Sequence, residues 1–89
     1  MTPHTATTGT TQVSTIPMTI GGVHLNAGPG ASDDATAQVY DGTSASGILL
    51  YSLAAVTKDS DRLILPTEAL TGVYVVVSGT GATLVVYEQ

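Results

Sequence analysis

From Met18 to Glu88 the aliphatic and aromatic side chains come in short runs, most of them closed by glycine, proline or an Asp-Gly pair, and no other feature limits the fold as tightly. Runs this short, rich in Val, Ile, Leu and Tyr, suit strands, whereas a helix needs a longer stretch with apolar positions three and four apart. A first strand opens at Met18, with Pro17 at its edge because proline brings no backbone donor. It bulges or bends at Gly21-Gly22 and ends at the loop 26–34. In Ala35 to Tyr40 the alternation of Ala35, Ala37 and Val39 with Thr36, Gln38 and Tyr40 marks a strand with one apolar face. After the turn from Asp41-Gly42 to Gly47, Ile48 to Val56 reads as a strand despite its helix-favouring Leu and Ala. Leu63-Ile64-Leu65 is a short strand stopped by Pro66, and 67–72 has room for one helical turn. Val73 to Ser78 and Thr83 to Glu88, joined by Gly79-Thr80-Gly81, read as a hairpin. Six or seven strands with no long helix predict an all-β fold, a small antiparallel β-sandwich or jelly-roll-like barrel.

The first sixteen residues are different material. Seven threonines lie between Thr2 and Thr15, with Ala6 and Val13 as the aliphatic side chains. Fixing a backbone residue costs about 1–2 kcal/mol, and such a leader has little to bury in return. It therefore reads as an extended N-terminal arm, 1–16, on a β-sandwich body, 17–89. Fifteen extended residues reach up to about 50 Å, enough to cross onto a neighbouring subunit and add a strand there. Thr7, Thr8, Thr10, Thr11, Val13 and Ile16 are the expected partner-binding residues.

The body carries a second hint of association. In Val73 to Val77 and Leu84 to Tyr87 both strand parities are apolar, so both faces look covered. Tyr74, Val76, Val85 and Tyr87 are thus expected at an oligomer interface, against the plainer alternative of β-branched residues on an ordinary surface. With 89 residues and no cysteine to staple it, a domain of this size commonly gains from self-association.

Charge excludes several functions. Only 10% of residues are charged, with seven acids against Lys58 and Arg62 for a net charge of -5, which disfavours nucleic acid. No window approaches the ~18 apolar residues of a membrane span, and the start, Met1-Thr2-Pro3-His4, lacks the basic and apolar regions of a signal peptide. Gly28-Pro29-Gly30 and Gly79-Thr80-Gly81 do not continue as phosphate loops. A nucleophile needs a base oriented by a third group, and the serines, His4 and His24 supply no such pattern, so no catalytic residues and no cofactor are expected. Asp33 and Asp34 point apart on extended backbone and read as Asx turns rather than as a calcium site with Asn26 and Asp41; no metal is expected. Tyr40, Tyr51, Tyr74 and Tyr87 all fall in strands and read mostly as core or subunit-interface residues; exposed ones would instead suit sugar stacking.

The Thr-rich leader, Met-Thr-Ile-Gly-Gly-Val-His-Leu-Asn-Ala-Gly from Met18, Ala-Gln-Val-Tyr-Asp-Gly-Thr-Ser-Ala-Ser-Gly from Ala37, and Gly-Val-Tyr-Val-Val-Val-Ser-Gly-Thr-Gly from Gly72 together resemble the small β-sandwich structural proteins of tailed-phage virions, most of all head cement (decoration) proteins. That resemblance implies a non-enzymatic homo-oligomer, with a trimer favoured, on the capsid surface of the virion. There it would clamp neighbouring major capsid subunits or bind another virion protein. A phage tail or fibre adaptor module and a carbohydrate-binding β-domain are the alternatives.

Overall fold

The computed structural model describes residues 2–30 and 32–89; Met1 of the expected arm and Ala31 of the expected loop lie outside them. The described residues form nine strands and no helix: β1 (Thr2–Thr7), β2 (Gly9–Ser14), β3 (Met18–Asn26), β4 (Ala35–Asp41), β5 (Ile48–Ala55), β6 (Ser60–Leu63), β7 (Thr67–Ala69), β8 (Val73–Ser78) and β9 (Thr83–Glu88). Two antiparallel sheets result. Sheet A runs β1-β9-β3-β6, with β7 also paired to β3; sheet B runs β2-β8-β4-β5.

The sandwich is as expected, but the leader is not a free arm. It is extended, yet it pairs within its own chain: β1 zips onto β9 from Thr2↔Glu88 to Thr7↔Thr83, and β2 onto β8 from Gly9↔Val77 to Ser14↔Val73. The division into an arm, 1–16, and a body, 17–89, is thereby corrected. The reason lies in the backbone. β-branched threonine favours strand geometry, and a ladder of N–H···O=C bonds needs little from the side chains. Where the leader does face inward it is apolar: Ala6 is buried, and Val13, set off by a register shift between Gln12 and Ser14, packs on the core. Gly9, at φ +122°, lets the chain step from sheet A to sheet B.

Three further expectations change. The strand expected at Leu63 to Leu65 lies earlier: β6 is Ser60–Leu63, in the charged stretch, because those residues pair with Val23 to Asn26 of β3, and of the triplet only Leu63 is in the ladder. Thr67 to Ala69 forms a strand on the first residues of β3 instead of a helical turn, because pairing with Met18 to Ile20 outweighs the local helix preference of Glu and Ala. Val73–Ser78 and Thr83–Glu88 are strands but not a hairpin: β8 lies in sheet B and β9 in sheet A. Both strands bring apolar faces, and the core between the sheets can use one from each side. The turn with Gly79 and Gly81 at positive φ therefore arches across the sandwich. Among consecutive strands, β4 and β5 alone pair with each other.

The core is made of small and branched side chains. Ile20, Val23, Leu25, Leu84 and Val86 from sheet A meet Ala37, Val39, Val73, Val75 and Val77 from sheet B. The register shift at Ile20/Gly22 is the bulge expected of Gly21-Gly22.

Candidate functional site

The two edges of the sandwich are built differently. At one edge lie β1 and β2. At the other, β5 of sheet B runs beside the segment 60–70 of sheet A, and no backbone ladder joins them. Side chains lace this seam. Asp61 Oδ2 accepts the Ala54 N–H at 3.2 Å, the Tyr51 hydroxyl donates to the Leu65 carbonyl, and Asp41 takes the N–H groups of Leu70 and Thr71 at 2.9 and 2.8 Å. The first two fall in order along the two antiparallel segments, and Asp41, the last residue of β4 and opposite Ile48, closes the end of the row. The Asp41 carboxyl is held below its ordinary value of 3.8, foremost by the Leu70 N–H and then by that of Thr71; burial opposes them, and the Gly72 N–H adds the least.

Aliphatic side chains crowd the lips of the seam. Among the described residues the large exposed hydrophobics are Ile16, Ile48, Leu49, Val56, Leu63, Ile64, Leu65 and Leu70; all but Ile16 belong to β5, its following turn or the segment 63–70. Ile64 and Leu70 are each 72% exposed. Local geometry forces this. Tyr51 and Leu53 fill the inward positions of β5, so Ser52 and Ala54 turn outward, and the register shift between Val39 and Tyr40 breaks the alternation so that Leu49, opposite Tyr40, turns outward too. The 63–65 backbone presses so close to β3 that a Cβ at Gly22 would stand 2.9 Å from the Leu63 carbonyl oxygen. With the backbone against the sheet, Ile64 and Leu65 project into solvent. A cleft of about 200 Å³ lined by Pro17, Met18, Thr19, Glu68, Ala69 and Leu70 continues the apolar strip at one end.

The expected partner-binding residues sit at the opposite edge or in its connection. Thr10 faces outward opposite Val76, Thr11 is half-buried opposite Val75, and Val13 packs on the core. Thr7 pairs with Thr83, while the Thr8 hydroxyl donates to the Gly79 carbonyl, closing the edge. Of the six, Ile16 alone is a large exposed aliphatic, at 67%. The four expected interface residues do not form one patch. Tyr74 and Val76 are half-buried on the outer face of sheet B, and Val85 and Tyr87 on the outer face of sheet A. Their apolar parity is instead shared with strand neighbours: Val76 lies between Thr10 and Gln38, Val85 between Thr5 and His24. Tyr74 and Tyr40 stand directly opposite each other on sheet B, with Leu49 next in the row.

The remaining polar groups have local duties. Asp33 Oδ2 accepts the Gly30 N–H at 2.8 Å and Asp34 Oδ1 the Thr57 N–H at 2.9 Å, the turn-binding role of Asx residues. Among the described residues no three His, Asp or Glu side chains gather as a metal would require. His4 Nε2 lies 3.0 Å from Glu88 Oε1, and His24 stands in a row between Val85 and Arg62.

The seam was poorly visible in the sequence, because Ile48-Leu49 and Leu63-Ile64-Leu65 look like core. One signal pointed to it: charged and polar residues 57–62 and Pro66 flank an apolar triplet too short to cross a core. Compared with known protein families, curated proteins and solved structures, the chain matches none.

Proposed function

We propose that this chain is a non-enzymatic structural protein of a virion, a capsid cement or decoration protein that sits on the capsid surface and binds neighbouring major capsid subunits. The aliphatic seam carries the reading. Contiguous exposed Ile and Leu on a small domain mark a surface that gains by burial against protein, and here they sit on a rigid frame closed by side-chain bonds. The resemblance of the 18–88 pattern to phage cement proteins supplies the virion context. With β1 and β2 committed to their own sheets, association runs through the seam rather than through a free arm. Phage tail and fibre adaptors share this chemistry and differ in the partner.

The test is to mix the purified protein with expanded, undecorated shells of the source virus. Saturable cosedimentation and a higher shell disruption temperature are the expected outcome, with both lost in Ile64→Ser/Leu65→Ser. Failure to cosediment would overturn the cement reading. A second reading has one observation behind it, the Tyr40–Tyr74 pair. Two rings side by side on a sheet face with few charges suit stacking on a neutral sugar. Glycan binding lost in Tyr74→Ala but kept in Ile64→Ser/Leu65→Ser would favour it.

A further inference from the structure

Resting on the reading of the seam as a protein contact, we infer that its occupant is a second copy of this chain, held by a two-fold contact centred on Leu65. The charges next to the seam carry this assignment. Arg62 on β6 pairs across the sheet with His24, and Glu68 on β7 with Thr19. Both of those β3 residues alternate with buried neighbours, Val23 and Leu25 on one side, Met18 and Ile20 on the other. Arg62 and Glu68 therefore project on the same outer face of sheet A. They are equally far along the chain from Leu65, one on each side. Both are exposed, and among the described residues neither has an ion-pair partner within the chain.

An isologous contact sets residue i of one copy against residue j of the other, and j against i. Two copies meeting antiparallel across this edge, with the axis through Leu65, bring Arg62 of each to Glu68 of the other, so that one charge pattern is satisfied twice. Ile64 and Leu65, 72% and 62% exposed, then lie at the centre, where water is excluded, and the ion pairs form the rim. The same geometry suits a chain of net charge -5. Copies repel over most of their surface, and this edge offers apolar side chains with one of the two cations beside them. Asp61, the nearest other acid, is engaged with the Ala54 N–H and points toward the seam's own closure. The strand ladders contribute nothing to this contact, because Pro66 has no N–H and the Leu65 carbonyl is taken by Tyr51. The association is made by side chains.

The test uses the purified full chain with no shell present, so its outcome is independent of shell binding. Sedimentation equilibrium over a range of concentrations is expected to show a reversible dimer. Arg62→Glu and Glu68→Arg should each weaken it about tenfold, and the double exchange Arg62→Glu/Glu68→Arg should restore it. Ile64→Ser/Leu65→Ser should leave a monomer whose thermal melt matches the parent. A monomer at every concentration, a mass of three chains, or a double exchange no better than the single changes would overturn the two-fold contact. So would a dimer unaffected by the seam changes but lost in Tyr74→Ala.

Discussion

The threonine edge and the aliphatic edge of this sandwich invert what their compositions suggest. Residues 2–14 have almost nothing to bury, yet they supply the outer strand of both sheets through continuous backbone ladders. Residues 48–49 and 63–65 are among the most apolar in the chain, yet they stand in solvent beside a seam that side chains hold closed. Polarity therefore says little about whether a segment is ordered when main-chain hydrogen bonds do the holding. Apolarity says little about burial when the backbone, not the side chain, is pressed against the sheet.

The largest effect that would break this comparison is removal of residues 1–14. An independent arm would leave a folded body behind. Here the deletion strips β1 and β2 from β9 and β8 and uncovers sheet edges over Leu84 and Val75, so cooperative thermal unfolding by circular dichroism is expected to disappear. A truncated chain that melts like the parent would restore the arm. Next in size is Ala6→Asp, which drives a charge into the inward face of the leader at a position 3% exposed. A loss of about 3 kcal/mol or more in urea unfolding is expected.

On the other edge the effects shrink. Tyr51→Phe keeps the buried ring but removes the hydroxyl lace to Leu65, and is expected to cost about 1 kcal/mol, with faster amide exchange confined to 63–66. Asp41 makes the seam sensitive to acid. Its carboxyl titrates below its ordinary value in the folded chain, so protonation favours the unfolded state. The stabilisation is whole above the ordinary carboxylate range and is lost as pH falls through the folded value. Asp41→Asn should flatten that part of the melting temperature's pH dependence. Smallest is the stability change in Ile64→Ser/Leu65→Ser, expected within about 0.5 kcal/mol while association is lost. A large destabilisation there would mean that the seam residues belong to the core.

Much of the fold was legible. The bulge at Gly21-Gly22, the one-sided strand at Ala35 to Tyr40 and the strand at Ile48 each follow from local pattern and punctuation, since alternation and glycine act over a few residues. The site was far less so. Val73–Ser78 and Thr83–Glu88 look like hairpin partners because they are neighbours in sequence, and their assignment to different sheets depends on β1, β2, β3 and β4 taking the edges they would otherwise share. For the same reason Tyr74, Val76, Val85 and Tyr87 could not be seen to divide between opposite faces. Beyond its polar flanks and its shortness, Leu63-Ile64-Leu65 carries no mark that its backbone, crowded against Gly22, would turn two of its side chains outward.

By itself the sequence determined an all-β chain of short strands with a Val- and Leu-rich core, because strand propensity, period-two alternation and turn residues are local properties. Tertiary structure decided where the strands went: the threonine leader into both sheets, the last two strands onto opposite sides, and an aliphatic strip out to the surface. Those outcomes depend on which edges remain unpaired once every other strand has docked, and that competition is settled between residues far apart in the chain.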